Sequence, residues 1–231
     1  MFLKLIPLFF KYFSPLFPSF AAQMALDLFC TTQKNERPSN ELEFWNTGKA
    51  LEFSSKRSCR TWGQGPEIWL IHGWSSRGSA FYRIIPLFVK AGFKVIAWEA
   101  PAHGDSPGKQ TNLVDFSKSL ASDIDDHGSK PLAIIGHSFG GAALAIINRY
   151  TALPKFVAII SSPSETPKIF QNYKKLINLS KKSFAKLVQK AEKMVGTTIA
   201  STSLINNDLS KHSQVLVIHD KKDKEIAYQY F

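Results

Sequence analysis

The stretch that most constrains this chain is Leu132 to Leu144, which reads LAIIGHSFGGAAL. Leu132 to Ile135 is short, apolar and rich in β-branched side chains, the composition of a buried strand. Gly136-His137-Ser138-Phe139-Gly140 follows, and Gly141 to Ile147 is small and helix-compatible. The sequence therefore predicts a strand, a very sharp turn and a helix. A turn that tight presses the residues two before and two after its apex against the adjoining strand and helix, so both must lack side chains. Ser138 is the apex, and its hydroxyl is held up at the end of the strand beside N–H groups that open a helix. A glycine turn alone arises often by chance; the strand before it and the helix after it give this one meaning.

Other strands alternate with helices around it. Lys49 to Phe53 and Ser58 to Trp62 read as short strands, with Gly63-Gln64-Gly65-Pro66 as a turn. Glu67 to Ile71 is a buried strand that runs into His72-Gly73-Trp74. Gly78 to Ala91 carries Phe81, Ile84, Ile85 and Phe88 at helical spacing. Phe93 to Trp98 is a strand, Leu113 to His127 a helix, and Phe156 to Ile160 a strand ending at Ser161-Ser162-Pro163. Gln214 to Ile218 is the last strand, followed by His219-Asp220-Lys221-Lys222-Asp223. This order predicts an α/β fold, a mostly parallel, doubly wound sheet with helices on both faces. Parallel crossovers place the strand carboxyl ends along one edge, where His72, His103, Ser138 and Ser161 would converge.

Two regions stand apart. Residues 1–47 are expected to form an apolar helical leader (1–30) and a polar connector (31–47), and residues 48–231 the main domain. In the leader Phe and Leu are interrupted by Lys4, Lys11, Pro7, Pro15 and Pro18. No run approaches the roughly 18 apolar residues of a spanning helix. A secretory signal is one reading, but Lys11 lies within the apolar zone and argues against it. Helices docked on the domain, or an interfacial anchor, are the others. Residues 164–212 break the strand rhythm with lysine-rich helical stretches and read as a lid inserted over the site. The net charge of +11 favours anionic partners. No nucleic-acid-binding signature accompanies it, so no nucleic acid is expected; peripheral association with anionic membrane is the alternative for the basic lid and apolar leader. Cys30 and Cys59 lie far apart, in no metal-ligand spacing; a single disulfide is one reading, and reduced thiols of a cytoplasmic protein are the expected one. No metal or nucleotide cofactor motif is present.

With these residues in place, the chain resembles the α/β-hydrolase fold family from about residue 61 to 231. His72-Gly73-Trp74 looks like the family's oxyanion turn, and Ala100 to Ser106 like its P-G-H-G-x-S loop. Gly136 to Gly140 looks like its nucleophile elbow, and His219 to Asp223 like the loop that carries its acid. The resemblance implies a serine hydrolase acting on an ester-like acyl substrate, with Ser138 as nucleophile and the backbone N–H groups of Trp74 and Phe139 as oxyanion donors. It implies Asp223 as the acid, with Asp220 as runner-up and Glu165 a distant third. His72 is then structural, His103 a loop organiser and His137 a packing residue, while His127 and His212 lie in no motif. A haloalkane dehalogenase is disfavoured, because its elbow would carry Asp.

One departure matters. The family's catalytic histidine follows the acid, and Lys224 to Phe231, KEIAYQYF, contains none. A last helix, strand and histidine loop need about 20 residues. The sequence is thus expected to be a C-terminally truncated hydrolase of low activity, missing its last strand and helix, or else a natural short form or a non-catalytic scaffold.

Overall fold

A computed structural model describes residues 2–128, 130–224 and 226. Seven strands form one sheet in the order β1-β2-β4-β3-β5-β6-β7. They are β1 (Lys49–Ala50), β2 (Cys59–Trp62), β3 (Glu67–Ile71), β4 (Lys94–Trp98), β5 (Ala133–His137), β6 (Phe156–Ile160) and β7 (Gln214–Ile218). β1, β2 and β4 are joined by antiparallel pairings, while β4, β3, β5, β6 and β7 run parallel.

The alternation of side chains along a strand explains the layering. From β3 and β4, Trp69, Ile71, Ile96 and Trp98 face one side, where Phe116, Leu120 and Ile124 of α5 (Leu113–His127) cover them. Ile68, Leu70, Val95 and Ala97 face the other, covered by Ile85 of α4 (Ile85–Lys90) and by Trp45. α5 starts at Asn112, whose side chain accepts from the Asp115 N–H at 2.9 Å, and stops at Gly128 with φ +71°.

Three expectations need correction in detail. The strand from Lys49 is two residues long; the Leu51 N–H still donates to the Cys59 carbonyl at 3.0 Å, and the chain turns at Ser54 and Ser55. The helix expected over Gly78 to Ala91 is split into a 3₁₀ turn, Gly78–Phe81, and α4; Pro86 sits at the start of α4, where a missing N–H costs nothing. The polar segment 31–47 is not a bare connector. Its second half is α3 (Ser39–Thr47), which inserts Trp45 fully into the core.

The leader forms α1 (Phe2–Leu16) and α2 (Pro18–Cys30). Its partners are the two helices between β6 and β7, namely α7 (Thr166–Leu176) and α8 (Lys181–Val195). Phe10, Ala22, Ala25 and Leu26 share a hydrophobic cluster with Phe170, Leu187 and Ala191. Ser14 ties the junction: its carbonyl accepts from Ser183 Oγ at 2.8 Å and its Oγ accepts from the Ser180 N–H at 2.9 Å. Among the described residues no helix is long and apolar enough to cross a membrane.

Candidate active site

Ser138 lies between β5 and α6 (Phe139–Leu144) with φ +52° and ψ −120°. A non-glycine residue pays for that region of backbone space, so the surroundings must hold it there. They do so through glycines. A Cβ on Gly140 would stand 2.4 Å from the Ile71 carbonyl oxygen and 2.6 Å from that of His72. One on Gly136 would stand 2.7 Å from the Gly141 nitrogen. The turn is thus wedged backbone-to-backbone between the end of β3 and its own helix. The Ser138 N–H donates to the Ile160 carbonyl at 2.8 Å, which pins the turn to β6.

Gly73 serves the serine directly. A Cβ there would come within 3.0 Å of Ser138 Cβ and 3.3 Å of Oγ. Trp74, the next residue, stacks its ring edge-on against Phe139 at 4.9 Å between centroids. The backbone N–H of Phe139 is the first of the unpaired donors that open α6. The loops after β3 and β5 therefore meet at Ser138, with Phe139 the next residue in sequence and Trp74 the residue after Gly73.

His72 is buried beneath this turn. Its Nδ1 lies 2.7 Å from the Gly73 carbonyl, and its Nε2 lies 3.1 Å from the Ala100 nitrogen. Ala100 can only donate, so Nε2 accepts and Nδ1–H donates: the ring is neutral, with both nitrogens committed. Burial, then the neighbouring His103, push its pKa down to about 3. His103 Nδ1 lies 2.9 Å from the Pro101 carbonyl, and burial likewise lowers its pKa. Both histidines hold loops together, as the sequence implied.

The loop after β4 is built around a residue that sequence reasoning passed over. Glu99 is completely buried. Its Oε1 accepts from Arg37 at 2.7 Å and from the Gly78 N–H at 3.0 Å; its Oε2 accepts from the Asp105 N–H at 2.8 Å. Gly104, at φ +49°, passes so close that a Cβ would fall 2.2 Å from Oε2. Arg37 also reaches Asp105 at 2.7 Å and Ser79 at 3.2 Å. A buried carboxylate is tolerable only when paired and hydrogen-bonded, and Arg37 with two N–H groups meets that condition. The segment before α3 thereby straps the loops after β3 and β4 to each other. Thr32 Oγ1 adds a bond to the Ala102 carbonyl, and the Gln33 N–H one to Ser75 Oγ.

The loop after β7 lies farther along the same sheet edge. β7 lies two strands from β5, about 10 Å at ordinary strand spacing. Asp223 follows it: Oδ1 accepts from the Ile226 N–H at 2.9 Å, and Oδ2 lies 3.7 Å from His219 Nε2. His219 is buried, with Nε2 also 2.7 Å from the Ile226 carbonyl. Asp220 caps the same turn instead, accepting from the Lys222 N–H at 2.8 Å. Glu165 pairs with Lys168 at the start of α7. Among the described residues, no hydrogen bond to Ser138 Oγ is formed, and no group of three or more His, Cys, Asp or Glu is placed to hold a metal ion. Cys30 and Cys59 are both buried free thiols in separate hydrophobic clusters, and burial raises the pKa of Cys30 to about 11.

A mostly parallel sheet with loops converging on a serine at a strained strand–helix turn defines a class, and the comparisons agree with it. The sequence profile of the alpha/beta hydrolase family matches residues 70–191, and the chain belongs to that family. A pyrethroid hydrolase of Sphingobium wenxiniae is 28% identical over 112 residues, 45% of this chain and 40% of that protein. A putative esterase/lipase of Mycoplasma genitalium is 27% identical over 111 residues, 47% of this chain and 41% of its own length. Each match spans less than half of the relative. An esterase of Pyrococcus furiosus shares the fold with a TM-score of 0.57 at 17% identity, covering 87% of this chain and 81% of that one.

Proposed function

We propose that the chain is a serine hydrolase of carboxylic esters that works through an acyl-enzyme on Ser138. The observation that carries the reading is the conformation of Ser138, held at positive φ on the β5–α6 turn with Gly73 leaving room beside its hydroxyl. In this reading Ser138 Oγ attacks the ester carbonyl carbon, and the developing oxyanion is met by the N–H groups of Trp74 and Phe139. The serine proton passes to a base and then to the departing alkoxide as the carbon–oxygen bond breaks. Water adds to the acyl-enzyme, releases the acid and restores Ser138. Asp223 is the acid that would orient the base. The helices between β6 and β7 act as the lid that shapes the acyl site.

No histidine of the chain is assigned as the base. His72 and His103 are neutral and committed to carbonyls, and His219 is committed to the Asp223 loop. A serine without its base keeps only a residual rate from the oxyanion donors and binding. A second reading, a non-catalytic binding protein on the hydrolase fold, is favoured by one observation: among the described residues no hydrogen bond reaches Ser138 Oγ. Imidazole separates the two. Hydrolysis of p-nitrophenyl butyrate by the chain is expected to be slow and to rise with added imidazole, beyond the rise seen with Ser138→Ala. Identical rates for the two proteins at every imidazole concentration would favour the binding protein.

A further inference from the structure

The helical body made of α1, α2, α7 and α8 carries a surface that ester hydrolysis does not use. One side of α1 packs on α2 and α8 through Phe10 and Ser14. The other side presents Leu5, Leu8, Tyr12 and Leu16 at spacings of three and four, so they form a single stripe. Phe17 and Phe20 continue it onto the start of α2, and Leu16 is 72% exposed and Phe20 61%. Six large apolar side chains in one exposed row are far from the scatter of single hydrophobics found on ordinary surfaces.

The charge of the same body decides what covers the row. Residues 1–30 and 165–195 hold ten lysines against three acids, Asp27, Glu165 and Glu192. Most of the chain's excess of +11 is therefore concentrated here. Three of these lysines, Lys11, Lys181 and Lys182, lie on α1 or on the helix end bonded to it. Lys11 lies over the Tyr12 ring, with Nζ 5.5 Å from its centroid. Lys181 and Lys182 are exposed at the start of α8, which Ser180 and Ser183 bond to Ser14 in the last turns of α1. A second copy would bring equal positive charge against this surface, which opposes self-docking. Anionic headgroups complement it. α1 is 15 residues, about 22 Å, too short for a hydrocarbon core of about 30 Å but suited to lying along its boundary. Its exposed aromatic side chains suit that boundary too.

We propose that the exposed row of α1 and the start of α2, together with Lys11, Lys181 and Lys182, docks the protein on an anionic lipid surface. The row lies in the interface and the lysines meet headgroup phosphates, so the helical body sits between the membrane and the sheet. The claim does not depend on ester hydrolysis.

Co-sedimentation of the whole chain with vesicles tests it. Binding is expected to phosphatidylcholine vesicles containing about a third phosphatidylglycerol, at least about tenfold weaker to phosphatidylcholine alone and at about 0.5 M salt. Leu8→Glu with Leu16→Glu should abolish binding, and Lys181→Glu with Lys182→Glu should weaken it about tenfold. Leu87→Glu, exposed on α4 in the sheet body, should leave it unchanged. Circular dichroism checks that each variant is folded, and Tyr12→Glu alone replaces the first pair if it is not. Equal, salt-insensitive binding to both vesicles, equal loss with Leu87→Glu, or no binding at all would overturn the proposal. A concentration-dependent dimer that Leu8→Glu dissociates, without vesicle binding, would assign the row to a second copy instead.

Discussion

The Ser138 turn and the Asp223 loop leave the same edge of one sheet, two strands apart, yet they are built in opposite ways. Around Ser138 the contacts are backbone against backbone: Gly140 on the carbonyls of Ile71 and His72, and Gly136 on Gly141. Every residue of β3 from Ile68 to Ile71 is buried. β7 by contrast has Leu216, Val217 and Ile218 exposed, and only Val215 packs on the core. The difference teaches where position is fixed. Ser138 is set by atoms that cannot give way, whereas Asp223 is carried on a strand held mainly by its ladder to β6.

Three measurements break or sharpen that contrast. Gly140→Ala should have the largest effect. Its new Cβ would meet two carbonyl oxygens at 2.4 and 2.6 Å, and neither can swing aside, so a loss of about 3 kcal/mol in urea unfolding is expected. A loss below about 1 kcal/mol would mean that the turn is softer than its geometry implies. Next comes pH. His72 titrates near 3 in the fold against 6.5 when unfolded, so the unfolded chain takes up a proton that the fold refuses. The stability tied to its neutral ring is complete above about pH 6.5 and falls as pH drops toward 3, by about 2 kcal/mol at about pH 5. Unfolding curves at about pH 7 and pH 5 should show that loss, and His72→Gln should flatten it. Leu216→Glu should matter least, within about 0.5 kcal/mol, because Leu216 is already 58% exposed. A cost near that of Gly140→Ala would show that β7 is held as firmly as the serine turn.

How much could be read beforehand depended on whether the cause was local. The β5–Ser138–α6 turn was legible because strand residues, glycines and small helix formers are contiguous. So were β3, α5, β6 and β7, whose expected bounds match. α3 was not, because SNELEFWNT has no helical apolar stripe; Trp45 is held by tertiary partners, with the Arg37 guanidinium 5.0 Å from its ring centroid. Glu99 was not legible either, since nothing near it in sequence announces Arg37, 62 residues earlier. For α1 and α2 the sequence showed apolar helical segments but not their partner. An apolar stripe specifies that something must cover it, not that α7 and α8 will.

The bond between Ser14 and Ser180 spans 166 residues. A chain made from its N-terminus at 5–20 residues per second would display α1 and α2 for about 8–30 s before α8 exists to receive them. Arg37 waits only 62 residues for Glu99, about 3–12 s at the same pace. The sheet's loops can therefore be strapped while the leader is still bare. For that interval the first helices are the stickiest part of a half-made protein, open to whatever chaperone or surface the ribosome is near.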